Sequence, residues 1–435
     1  DFKAVVVLWF YGGLDSYNVL VPYRGHCNTK TDTDGAVTGT VGATYDLHDE
    51  YKYARQGESY GQGDLLPIDE NTGNQPCSKF GIIKYLPYLK TLYDAGSLGW
   101  LANIGGLVEP IMEPDGVTRR ARYATPIAPF AHNHAQRNAN TVWGQKERAD
   151  GIVGRLMTAL ADGSVHTSPY NTGMYGVGHS GHMFGGGPYR GKRISSKGGT
   201  EAYKEDNFGG SSMSMQEQFD ILHANVSSSV FGETYSSNVI DVLRTTKKFN
   251  TILGKAEYGT SQNFPSHDLG QQLKQVAKLI NANVELGHER AVYVVSTGGW
   301  DTHARTKERF LEGLPQVNEA LEAFHKEMEA KGHWDKVTLV SMSEFGRTMS
   351  SNGQGTDHGW AGNTFIMGGK VRGGKLHGKF PHDMTHKSPL DSNRGRMIPT
   401  HSWEALWHGI AQNLGVEESQ LDRVLPNKAN FPPNQ

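Results

Sequence analysis

Three short runs set acidic side chains and histidines close together and flank them with glycine. GGLDSYN (Gly12–Asn18) offers Asp15, Ser16 and Asn18. TGGWDTH (Thr297–His303) offers Asp301 and His303, and EFGRTMSSNGQGTDHGW (Glu344–Trp360) offers Glu344, Arg347, Asp357 and His358. Carboxylates and imidazoles together are the donor set of a hard or borderline divalent cation. An arginine beside them could clamp an anion. A fourth patch, PFAHNHAQRN, carries His132 and His134 two residues apart. In an extended segment these two would point the same way and could bind metal or exchange protons. Each group also has a plainer reading. Asp15 could cap a turn or helix, Asp301 could close a turn through its side chain, and Arg347 could be a structural ion-pair partner. His132 and His134 could sit in a solvated loop, where His179 and His182 are also placed.

The elements that must position these residues follow from hydrophobic patterning. AVVVLWF (Ala4–Phe10), AVYVVS (Ala291–Ser296) and VTLVSMS (Val337–Ser343) are continuous apolar, β-branched runs, the pattern of strands buried on both faces of a parallel sheet. LGWLANIGG and NTFIMGG are weaker strand candidates. Between the two late strands, Phe310, Leu311, Leu314, Val317, Leu321 and Phe324 recur at helical spacing. Pro315 predicts a kink there or two helices. Strand, helix and strand in this order make a βαβ unit, so the expected class is α/β, a mainly parallel sheet sandwiched by helices. The three acidic runs then fall at the carboxyl ends of the strands, where open α/β sheets bind ligands. One domain over residues 1–435 is expected, with polar, glycine-rich insertions at about 26–78 and 164–213.

Composition narrows the function classes. Of 435 residues, 37% are hydrophobic and 20% charged, with a formal net charge of -2, which fits a globular chain. That balance gives no electrostatic reason to expect nucleic acid or an anionic membrane surface as partner. No apolar run approaches the ~18 residues that a bilayer span needs. Cys27 and Cys77 could form a disulfide closing a long loop or remain two thiols; they lack the CxxC spacing of zinc or redox sites. The chain starts at Asp1 directly before an apolar run, as a trimmed precursor would, and Asn225-Val226-Ser227 is a sequon.

Taken together, GGLDSYNVLVPY, GGWDTH, SEFGRTMSSNGQGTDHG and GGKVRGGKLHGKFP resemble the bacterial domain-of-unknown-function family 1501, and the resemblance runs on to RGRMIPTHSWEALWHGIAQNLGV. That family is related to the alkaline phosphatase and sulfatase superfamily, and its members are usually exported. The resemblance implies an alkaline-phosphatase-like fold and a secreted, periplasmic or cell-surface location. It implies a cation site, for zinc, calcium or manganese, in which Asp15, Asp301, His303, Asp357 and His358 are ligands. His377, His401 or His408 would complete the set. Two neighbouring cations would polarise a phosphate or sulfate ester, in a small anionic substrate or a sulfated or phosphorylated polymer. Arg347 would steady the anion, and His132 and His134 would be the catalytic histidines. Many relatives carry a Ser-His-Asn-Asp-like run where this chain has Ala131-His132-Asn133-His134, so covalent catalysis through position 131 is lost. The expected function is therefore a metal-dependent ester hydrolase. The other reading is a non-catalytic extracellular structural or binding protein, self-associating into filaments or a surface layer.

Overall fold

The run Ala4–Phe10 has no polar side chain, so a strand built from it has no face to give to water. In the computed structural model it forms β1 (Lys3–Phe10), buried from Ala4 onward. The structure describes residues 1–113, 118–164, 167–178, 181–189, 191–196, 213, 215–222, 224 and 229–431. The sequon at 225–227, His179 and residues 197–212 of the second expected insertion lie outside the described residues.

β1 pairs in parallel with β10 (Arg290–Thr297) on one side and β11 (Val337–Ser343) on the other. Beyond β10 lie β8 (Thr172–Val177) and β9 (Lys192–Ile194). Beyond β11 lie β14 (Gly362–Gly368), β7 (Leu98–Gly105) and β15 (Leu376–Gly378), with β16 (His401–Ser402) also on β7. Within this nine-stranded sheet β14 runs antiparallel to its neighbours β11 and β7, and the other pairings are parallel. The expected α/β class with a mainly parallel sheet is what the chain adopts.

Strand alternation sends the two halves of β1 to two cores. Ala4, Val6, Leu8 and Phe10 pack toward α2 (Pro87–Asp94), α7 (Asp268–Asn281) and α8 (Thr306–Ala330). Val5, Val7 and Trp9 pack toward α4 (Ile152–Asp162), α9 (Trp403–Leu414) and α10 (Glu418–Val424). Pro315 neither breaks nor splits α8, which is one helix of 25 residues. The carbonyl that its missing N–H leaves free belongs to Leu311, which is exposed, so water can satisfy it. The stretch read as a second insertion supplies β8 and β9, whose glycines hid them. Two further helices, α5 (Met215–Leu222) and α6 (Val230–Leu253), follow it.

The first insertion is a built unit. It carries the ribbon β3 (Lys30–Thr31) and β4 (Thr44–Tyr45), then α1 (Leu47–Arg55), started by a capping box between Asp46 and Asp49. β2 (Leu20–Pro22), β6 (Lys79–Ile83) and β5 (Leu65–Asp69) make a small sheet under it. Cys27 and Cys77 are bonded across 50 residues of sequence. A loop of that size contributes about 4 kcal/mol by restricting the unfolded chain. Among the described residues no helix is long and apolar enough to cross a membrane.

At the start of α9, Glu404 is buried; one oxygen accepts from the Asn427 N–H at 2.9 Å, and the other meets no hydrogen-bond partner among the described residues. Burial pushes its carboxyl up from about 4.5 to about 7. Between those two values the folded chain keeps a proton that the unfolded chain has lost, so stability falls as pH rises through this window. Chemical denaturation of the wild type should show a fall of up to about 3 kcal/mol from pH 4.5 to 7, flattened in Glu404→Gln.

Candidate metal centre

The polar runs do meet beyond the carboxyl ends of β1, β10 and β11. Gly12 lies at φ 111°, and any side chain there would collide with the backbone of Asp301. Glycine therefore lets the loop after β10 cross directly over the end of β1. That loop is anchored by Trp300, fully buried, with its ring 5.3 Å from Phe10 and 6.1 Å from Phe310. Beyond β11, β12 (Arg347–Ser351) folds back on β13 (Thr356–His358), which sets Arg347 opposite His358. Gly355 lets this hairpin press against the backbone of Thr302 and His303.

The fourth contributor is α3 (His132–Thr141), whose first residue is His132. Its Nε2 lies 3.3 Å from Asp301 Oδ2, and its Nδ1 lies 3.0 Å from Glu344 Oε1. His358 Nε2 lies 3.3 Å from Asp301 Oδ1, and its Nδ1 donates to the Phe130 carbonyl at 2.9 Å. One donor atom each from His132, Asp301 and His358 fall within 4.8 Å of one another. His303 adjoins them, with Nε2 3.2 Å from Asp301 Oδ1 and 3.0 Å from His358 Nε2. Its Nδ1 is 2.8 Å from Asp357 Oδ1.

The carbonyl partner fixes the His358 tautomer. A carbonyl only accepts, so the His358 proton is on Nδ1 and its Nε2 presents a lone pair. His132 and His303 meet a carboxylate at both nitrogens, Glu344 or Asp357 at Nδ1 and Asp301 at Nε2. All three imidazoles aim Nε2 at Asp301 and are backed at Nδ1 by a carboxylate or a carbonyl, the outer-partner arrangement of metal-binding histidines.

The electrostatics agree. Burial raises the Asp301 carboxyl, but the hydrogen bond and charge of Arg347 outweigh it and hold the group below its ordinary value. A hydrogen bond from Asn352 Nδ2 (3.0 Å), then one from His303, holds Asp357 down as well. Burial keeps the His358 imidazole below its ordinary value, helped by the charges of Arg347 and His132, so it is neutral and free to ligate near pH 7. Glu344 is fully buried; besides His132 it accepts from the Gly12 N–H (2.8 Å) and Gln136 Nε2 (3.2 Å).

Several expected residues stand elsewhere. Both oxygens of Asp15 are taken by Arg55, the last residue of α1, at 2.7 Å each, and both side chains are fully buried. Burial pushes the Asp15 carboxyl up, and the Arg55 charge pulls it back. Arg347 is no clamp for an external anion: fully buried, it donates to Asp301 Oδ1 (2.6 Å), Gly12 O (3.1 Å) and the Thr356 carbonyl. His134 is not aligned with His132, because the segment is helical rather than extended, and two residues turn about 200° around the axis. His377 Nε2 meets Arg372 O, His401 Nδ1 meets Thr400 Oγ1, and His408 Nε2 lies 3.9 Å from Glu418. Ala131 is the N-cap of α3 and carries only a methyl group. Glu344 was readable as a polar strand end; nothing in the local sequence ties Arg55 or Asn352 to this place.

Residues 235–392 match the family model described as a protein of unknown function, DUF1501. That DUF1501 segment holds Asp301, His303, Glu344, Arg347, Asp357 and His358, whereas Asp15, Arg55 and His132 lie before it. No curated protein matches the chain. Among solved structures, Ps i-CgsB in complex with k-i-k-neocarrahexaose is 11% identical, covering 97% of this chain and 74% of that one at a TM-score of 0.37. Lipoteichoic acid synthase LtaP from Listeria monocytogenes is 8% identical, covering 92% of this chain and 74% of that one at a TM-score of 0.32.

Removing Arg55 would strand a buried carboxylate. Arg55→Ala should cost about 3–5 kcal/mol in denaturant unfolding, and Asp15→Asn combined with Arg55→Met should cost less than the single change.

Proposed function

We propose that the chain is an exported hydrolase of phosphate or sulfate esters that uses one divalent cation, held by His132, Asp301 and His358. The observation that supports it best is the placement of one donor atom each from His132, Asp301 and His358 within 4.8 Å of one another. His358 carries its proton on Nδ1, so its Nε2 offers a lone pair to that cation. Two imidazole nitrogens and one carboxylate suit zinc or manganese better than calcium, which takes six to eight oxygens. Asp15 is already neutralised by Arg55, which supports one cation rather than the two that the motif resemblance implied. The ester class rests on that resemblance, and the Cys27–Cys77 bond fits an oxidising, extracellular compartment.

When bound, a cation supplies Lewis acidity toward an ester oxygen and lowers the pKa of water. The chain's own residues do the rest. Glu344 and the Phe130 carbonyl aim the rings of His132 and His358, and Arg347 keeps Asp301 ionised and in place. The side chain of His303 is 47% exposed and backed by Asp357, the arrangement of a general acid or base oriented by a carboxylate. With alanine at 131, attack falls to water rather than to a side chain there.

Ala131 and the consumed Asp15 favour a second reading, an extracellular structural or binding protein whose cation only stabilises. Metal analysis with a phosphatase and sulfatase substrate panel separates the two. The hydrolase reading expects about one equivalent of zinc or manganese per chain, lost in His358→Ala, and turnover lost in Asp301→Asn. Bound metal without turnover across the panel, or ordered filaments in the electron microscope, would support the second reading. Glu344→Gln should weaken metal affinity about 10–100-fold in a chelator competition, because an amide in place of the carboxylate is a weaker, uncharged acceptor for His132.

A further inference from the structure

A second polar feature lies along α3. Arg137, Thr141, Glu147, Arg148, Ala149 and His182 line a recess of about 400 Å³. Arg148 and His182 are exposed and Arg137 half-buried. Among the described residues, none of these three side chains has a hydrogen-bonding or ion-pairing partner, and Glu147 pairs with neither arginine. Like charges turned into one recess repel each other, and an anion between them removes that cost. Arginine suits such a ligand because its planar fork matches two oxygens of a sulfate or phosphate. The place is also telling. α3 begins with His132, and Arg137 follows about 7.5 Å along its axis. Gln136, next to Arg137, holds Glu344. One helix thus joins the metal centre to the recess.

We propose that this recess is an anion subsite, which takes one sulfate or phosphate group of a polyanionic chain while the reacting ester lies at His132, Asp301 and His358. This substrate assignment rests on the ester-hydrolase reading of that centre. Thr141 spends its hydroxyl on the Arg137 carbonyl and Glu147 is itself anionic, which leaves Arg137, Arg148 and His182 as the anion contacts.

Calorimetric titration of the whole chain with a sulfated hexasaccharide, and separately with linear polyphosphate, tests the subsite without turnover. The wild type should bind at least one probe, more weakly at higher salt, and the preferred probe identifies the group as sulfate or phosphate. Arg137→Ala combined with Arg148→Ala should weaken binding about tenfold or more. The matching lysine pair should recover part of it, and His358→Ala should still bind. Melting curves confirm that the variants are folded, and Arg148→Glu, at an exposed position, repeats the test singly. Wild-type affinity in the alanine pair, or no binding of either probe by the wild type, overturns the subsite. Binding lost in the alanine pair alongside an inert substrate panel keeps the subsite and removes the hydrolase reading. Unchanged binding with metal and turnover intact removes the subsite alone.

Discussion

The centre depends on one buried guanidinium. Arg347 gives hydrogen bonds to Asp301 after β10, to the Gly12 carbonyl after β1, and to Thr356 in the β12–β13 hairpin. Three loops that are distant in sequence are thus tied to a single charged group with no exposure to water. Burying such a charge is costly unless its donors are satisfied, so the three loops cannot drift independently. The carboxylate that it holds is the one that all the histidines face.

The elements that were legible in the sequence are those whose burial is written into every residue. β1, β10 and β11 are unbroken apolar runs, and their carboxyl ends bring Asp301, His303, Asp357 and His358 together as the sheet topology requires. β8 and β9 were not legible, because Gly173, Gly176 and Gly191 make that stretch read as loop. α3 was obscured for another reason: HNHAQRNANT has little apolar periodicity, and Ala131 before it gives no capping signal. The segment therefore read as extended, and His132 and His134 looked equivalent. Asp15 is the sharpest divergence. Its partner lies forty residues on, inside a stretch that looked like decoration, and nothing local distinguishes a carboxylate awaiting a metal from one awaiting an arginine.

That divergence changes the chemistry under consideration. A guanidinium beside Asp15 supplies fixed positive charge at the first strand end, without exchange or dependence on metal supply. What is left for a cation is a cluster of imidazoles around one carboxylate, open to solvent and lacking a hydroxyl at position 131. The first insertion is accordingly part of the centre's electrostatics, held by its capping box, its small sheet and its disulfide.

The register of the central sheet has a consequence for synthesis. β1 is made well before its neighbours across the ladder, which begin at Arg290 and Val337. A continuous apolar run therefore waits unpaired until residues 290–297 and 337–343 have been made. Contacts of such long sequence separation fold slowly and leave hydrophobic surface exposed meanwhile. The order of the strands thus delays closure of the core until both late strands are in place.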